Sequence, residues 1–294
     1  MPAAASCGRP RSSVKLTEPR TLAPPARRIA HVTAVERLGA YRVIEALDSG
    51  GPADPQPGQF YMLSAAERWG GGEDERPYLP RAFSYARARK SELTFLLEEV
   101  GPGTVRLAGL RPGDGLALVG PLGIGWRAPR VGTRPVLVGG GIGTAPLLCW
   151  QDELGADASL LLGFRSAQHA QAASLFAGSP EVATDDGSVG RQALVTDLLR
   201  EQLDADPAAT VFACGPPAML EAVRAICTEL EVPAQLALES GMACGFGACF
   251  GCVVPTKDGY IRLCVDGPVL DADDLMPSGD SRARTAADDW QVAG

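Results

Sequence analysis

At 294 residues the chain is about twice the length of a typical single domain, so two or three packed units are expected. With 46% hydrophobic and 21% charged residues it has the composition of a globular protein, which excludes a chain dominated by disorder. A formal net charge of -8 offers no general attraction to nucleic acid or to an anionic membrane.

Residues 1–28 run against that acidic balance. Arg9, Arg11, Lys15, Arg20, Arg27 and Arg28 stand among Pro2, Pro10, Pro19, Pro24 and Pro25 with few large apolar residues, which reads as a flexible leader. No apolar run follows the first charges, so no secretory signal is expected and the chain reads as cytoplasmic. The longest apolar stretch, residues 136–150, is too short to span a bilayer and is interrupted by glycines.

From residue 29 to about 130, short strand-like runs at 40–47, 60–64, 93–99 and 116–119 are separated by turns at Pro57-Gly58, Gly101-Pro102-Gly103 and Pro112-Gly113. That spacing predicts an antiparallel β-barrel or sandwich, with an exposed loop over 69–77. Within it lies Arg81-Ala82-Phe83-Ser84. The arginine and the hydroxyl suit a phosphate or a polar ring edge, and the aromatic between them suits either a flavin or the core.

The pattern changes over 131–236, where apolar runs at 136–138, 160–164 and 210–213 alternate with helical stretches such as 145–154 and 217–230. This predicts an α/β domain with a parallel sheet. After the first run come Gly139-Gly140-Gly141-Ile142-Gly143-Thr144 and a helix start, a turn that can present N–H groups and a helix dipole to a pyrophosphate. A tight strand-to-helix turn without a ligand is the other reading. After the third run, Cys214-Gly215-Pro216 repeats the logic, and a ligand across the strand ends would meet both turns. Cys214 reads equally as a small buried hydrophobe and as a residue beside a nicotinamide. Arg165-Ser166, after the second run, suit a 2'-phosphate and leave NADP open beside NAD.

Of the eight cysteines, Cys7, Cys149, Cys214 and Cys227 are scattered, whereas Cys244, Cys249, Cys252 and Cys264 crowd into a module over 237–275, before a loose tail at 276–294. The spacing Cys-x4-Cys-x2-Cys with a distant fourth cysteine is that of plant-type [2Fe-2S] ligands. Gly245, Gly247 and Gly251 let the backbone approach the sulfides. Zinc, which usually takes two short-spaced pairs, and a disulfide are the rivals.

Taken in order, these motifs resemble the ferredoxin-reductase superfamily, and within it the electron-transfer subunits of class B dihydroorotate dehydrogenase, over about residues 29–275. The resemblance implies an FAD-binding barrel (29–130), an NAD-binding domain (131–236) and a [2Fe-2S] module. It assigns Arg81, Phe83 and Ser84 to the flavin, and Gly103, Thr104 and the turn from Gly120 to Gly123 to its phosphates. Gly139, Gly140, Gly141, Gly143, Thr144, Cys214, Gly215 and Pro216 fall on the nicotinamide side, and the four clustered cysteines hold the metal. It also implies an FMN-containing catalytic subunit as partner in a hetero-oligomer of pyrimidine biosynthesis. Electrons from dihydroorotate would pass from FMN through the cluster and FAD to NAD+.

No acid or base is required of this chain, and His31 and His169, outside every motif, read as surface or structural. Phe246 and Phe250 read equally as partner contacts and as core. Two other functions share parts of the pattern: a flavin subunit of a soluble hydrogenase or ferredoxin:NAD(P) oxidoreductase, and an iron-sulfur redox sensor that binds a partner.

Overall fold

A computed structural model describes residues 26–67, 69, 79–155 and 158–276. The expected leader up to residue 25, the loop stretch 70–78 and the tail from 277 lie outside the described residues. Six strands close a barrel: β1 (Ala26–Leu38), β2 (Tyr41–Leu47), β3 (Phe60–Ala65), β4 (Arg81–Arg89), β5 (Glu92–Glu98) and β6 (Gly115–Leu122). Their order is β1-β2-β5-β4-β3-β6, with antiparallel pairing throughout.

The first strand starts at Ala26, so Arg27 and Arg28, grouped with the leader on sequence, belong to the barrel opposite Val119 and Leu118. Arg28 is fixed there by Asp48 at 2.7 Å and by the carbonyl of Gly120 at 2.8 Å. Asp48 is buried, and a buried carboxylate is tolerable because it is paired and hydrogen-bonded.

Strand periodicity shows in β5, where Leu93, Phe95 and Leu97 enter the barrel core while Leu96 faces the second domain. Inside the barrel, Tyr61 meets Phe95 edge-on at 5.7 Å and Tyr85 at 6.2 Å. Helix α1 (Pro102–Ala108) follows β5 where a turn was expected. Proline suits its first position, and the Thr104 hydroxyl accepts from the N–H groups of Val100 and Gly101 at 2.9 and 3.0 Å.

The second unit runs β7 (Arg134–Gly140), α2 (Ala145–Leu154), β8 (Ser159–Phe164), α3 (Ala167–Ala170), β9 (Glu181–Thr184), β10 (Arg191–Gln192), α4 (Val195–Ala205), β11 (Ala209–Cys214), α5 (Pro217–Glu229) and β12 (Ala234–Ala237). Sheet order is β10-β9-β8-β7-β11-β12, parallel throughout, and both faces are covered. Leu160, Leu162 and Phe212 face α2, whereas Leu161, Val211 and Ala213 face α4 and α5.

Residues 145–151 of α2 are all buried because the helix lies between the sheet and the barrel. From the barrel side, Arg87 of β4 pairs with Asp152 at 2.8 Å, and the Trp126 indole donates to the carbonyl of Pro146 at 3.1 Å. Trp150 is fully buried in that layer, a burial worth about 1.5–3 kcal/mol for a side chain of this kind.

The last segment contains β13 (Val253–Thr256), β14 (Gly259–Arg262), α6 (Leu263–Asp266) and β15 (Val269–Asp271). It is not a separate globule. Strand β15 adds antiparallel to β12 at the edge of the large sheet. Cys252, Leu263, Cys264 and Leu270 share a core with Phe60, Met62 and Leu122 of the barrel. No helix among the described residues is long and apolar enough to cross a membrane.

Candidate functional site

The chain leaves β7 outward through β8, β9 and β10, then returns with β11 on the other side of β7. This reversal sends the connections after β7 and β11 to opposite faces of the sheet, while their turns meet beyond the strand ends, where open parallel sheets bind ligands. Two clefts open there, against the barrel.

The first, of about 510 Å³, lies between the start of β4, the start of α2 and residues 238–242. Arg81, Phe83, Ser84, Thr104, Gly143 and Cys214 line it. Arg81 is held by donation from Nη1 to the carbonyl of Leu79 at 2.7 Å, and its side chain lies over Gly103. A Cβ on Gly103 would stand 2.8 Å from Arg81 Nε, so a side chain there would displace the guanidinium. Thr104 contributes shape and no free hydroxyl, since its Oγ1 also donates to the carbonyl of Gly101 at 3.0 Å.

The second cleft, of about 560 Å³, is floored by Gly140, Gly141, Gly143, Gly215 and Pro216. Gly141 has φ +55, a conformation that favours glycine. Glu98, Ile142, Gly143 and Glu239 border both clefts, so the two adjoin.

Electrostatics at the junction come from both domains. Burial first, then the Glu239 carboxylate, hold the Cys214 thiol well above its usual range, so it stays neutral. Glu239 faces the clefts but is hemmed in by protein bulk, and that desolvation raises its own carboxyl. Glu98 accepts from Arg165 Nη2 at 2.8 Å and lies 3.4 Å from His169 Nε2. Tyr41 of β2 is buried edge-on to His169 at 5.7 Å, and burial pushes its phenol upward.

All seven described cysteines are free. Cys149, Cys214 and Cys227 are buried as small apolar residues, while Cys7 lies outside the described residues. Cys252 of the cluster loop and Cys264 of α6 are buried with their sulfurs 3.2 Å apart, and the N–H of Gly251 donates to Cys249 Sγ at 3.5 Å. Partial burial acts to raise the Cys244 thiol. The backbone N–H groups of Cys249, Phe246 and Ala248, with the Cys249 thiol, outweigh it and bring it to about 6. Burial and Cys252 push Cys264 up to about 12.

Among the described residues no three His, Cys, Asp or Glu side chains converge as a single-ion site requires. Two thiol pairs on a loop with N–H groups aimed at sulfur suit a two-iron cluster, one pair per iron. Gly245 and Gly247 take φ +81 and +86, and a Cβ on Gly247 would lie 2.7 Å from Val265 Cγ2.

Five of the sequence-derived flavin and nicotinamide candidates do not line either cleft. Gly103 lies under Arg81, Gly139 packs on Leu147 and Leu162, and Thr144 is buried with its hydroxyl on the carbonyl of Gly141 at 3.0 Å. Gly120 abuts the Tyr61 ring and Gly123 abuts Gly267 and Pro268, so that turn serves packing within the barrel and against the last segment. Conversely, His169, read as surface or structural, lines the second cleft, as do Tyr41, Glu98 and Glu239. None of these sits in a local motif; only the docking of the barrel on the sheet brings them together.

The model of the iron-sulfur cluster binding domain of dihydroorotate dehydrogenase B matches residues 239–276. Curated relatives named dihydroorotate dehydrogenase B (NAD(+)), electron transfer subunit, align over most of the chain. The protein of Clostridium acetobutylicum is 34% identical over 229 residues, 77% of this chain and 88% of the relative. That of Bacillus caldolyticus is 36% identical over 257 residues, 83% and 96% of the two chains. An NADH-dependent reduced ferredoxin-NADP oxidoreductase superposes with a TM-score of 0.71 at 23% identity, over 85% of this chain and 90% of that one, a likeness of fold. Identity sustained through the barrel, the sheet and the cysteine loop places the chain in the family of dihydroorotate dehydrogenase B electron transfer subunits, and so among the oxidoreductase subunits.

Proposed function

We propose that the chain binds FAD in the first cleft, NAD(H) in the second and one [2Fe-2S] cluster on Cys244, Cys249, Cys252 and Cys264, and that in the cytoplasm it links NAD(H) to an FMN-containing catalytic subunit that oxidises dihydroorotate. The observation that carries this reading is the meeting of the two clefts at Glu98, Ile142, Gly143 and Glu239, beside the cysteine-bearing segment. When bound, the flavin exchanges a hydride as an electron pair and the cluster passes electrons singly.

The chain's own residues bind and orient. Arg81 offers a charged donor for a phosphate or a polar ring edge, and Phe83 with Leu79 and Pro146 supplies apolar wall. The glycine turn before α2 lines the second cleft and offers backbone N–H groups for a pyrophosphate, whereas Pro216 and Pro217 at the start of α5 carry no N–H and supply shape. Gly143 holds those turns in contact, and the neutral Cys214 thiol presents a small polarisable surface without releasing a proton.

At the cluster loop, Phe246 and Phe250 are exposed, together with Tyr260, and form an apolar surface suited to a partner protein. The purified chain should contain about two iron and two acid-labile sulfide per FAD, and NADH should bleach its flavin absorbance. Stoichiometric zinc without sulfide, or a flavin that NADH leaves oxidised, would overturn the reading.

A further inference from the structure

We propose that Glu98, a residue of the barrel, sets the choice between the two nicotinamide dinucleotides by occupying the guanidinium of Arg165. This rests on the second cleft being the dinucleotide site. In such sites the end of the strand beside the glycine-turn strand reads the ribose 2' position. A carboxylate there accepts from a hydroxyl, and an arginine accommodates a 2'-phosphate. Here β8 neighbours β7, and Arg165 follows its last residue, Phe164.

Arg165 is the one lysine or arginine among the described residues that line this cleft. Its Nη2 lies 2.8 Å from Glu98 Oε1, and the Glu98 side chain is only 23% exposed. Ser166, the other candidate for a phosphate, has its hydroxyl 3.0 Å from His169 Nδ1. Beyond the end of β9, Asp185 also faces the cleft. A 2'-phosphate would therefore meet the carboxylate of Asp185 and a guanidinium already paired with Glu98, whereas a plain ribose leaves the Glu98–Arg165 pair intact. The discriminating residue thus comes from the barrel, and the sequence after β8, read alone, points to the wrong cofactor.

The test uses the cofactor-loaded protein with ferricyanide as acceptor, and compares kcat/KM for NADH and NADPH in the parent, Glu98→Gln, Arg165→Ala and the double variant. Glu98→Gln keeps the side-chain shape and removes the negative charge that holds Arg165. The parent should favour NADH, and Glu98→Gln should shift the ratio toward NADPH by about tenfold, the scale of one charge-assisted bond. Adding Arg165→Ala should abolish that shift, and Asp185→Asn should move the ratio the same way by less. A parent that prefers NADPH, or a Glu98→Gln variant that changes both nucleotides by the same factor, would overturn the proposal. Failure of both nucleotides to reduce the flavin of the parent would instead remove the assignment of the cleft itself.

Discussion

At Gly143 the turn after β7 touches the end of β11, and a Cβ there would lie 2.6 Å from the carbonyl carbon and oxygen of Cys214. Neither atom can retreat, because both sit in backbone at the centre of the sheet. Gly143→Ala should lower stability by about 1–3 kcal/mol, read as a shifted urea midpoint, and should weaken flavin reduction by NADH. An unchanged midpoint would show that the turn yields. A modest pH effect, weakened by solvent, is expected at Glu239, which is exposed at its surface yet has its carboxyl raised above the ordinary 4.5 by the protein around it. A raised folded-state value means that the stability tied to its protonated form is complete below about pH 4.5 and is lost as pH rises through the folded value. Glu239→Gln should therefore be more stable than the parent at pH 8, with the gap narrowing toward pH 5. A gap constant across that range would remove burial as the cause. Residue by residue, the sequence showed the cysteines and the glycine turns plainly, because a metal loop and a tight turn are local patterns. It could not separate glycines that floor a cleft, such as Gly140, from those set back from it against side chains, such as Gly139 and Gly120.

Continuous apolar runs bounded by turn residues were legible to their ends: α2 spans Ala145–Leu154, matching the expected 145–154. Strand β4 escaped notice because Arg81, Arg87 and Arg89 break up its apolar pattern, and the arginines make sense only once Arg87 meets Asp152 across the domain boundary. Strand β15 is three residues long and pairs with β12 far away in sequence, so no local signal marks it. Its pairing, and the core shared by Cys252 and Cys264 with Met62 and Leu122, tie the cysteine module to the barrel. Cys249 is exposed on the loop, whereas Cys264 is buried in that shared core. Both Cys249→Ser and Cys264→Ser should lose iron. Only Cys264→Ser, by placing a hydroxyl in an apolar core, should also lower flavin content and thermal stability. Equal flavin loss in both variants would mean that the cluster itself, rather than this core, supports the flavin site.

For the whole molecule, a barrel followed by a parallel sheet and a cysteine loop could be read from composition shifts along the chain. The junction could not, because Glu98 and Tyr41 come from the barrel, His169 from the sheet domain and Glu239 from the last segment. That convergence is where the two clefts border one another, at Glu98 and Glu239. The most direct measurement is anaerobic reconstitution of this chain with a purified FMN-containing dihydroorotate dehydrogenase catalytic subunit, following NADH formation from dihydroorotate and NAD+. The expected result is NADH formation only when both subunits are present, abolished when Cys249→Ser replaces the parent. Dihydroorotate oxidation by this chain alone, or a stable complex that forms no NADH, would contradict it.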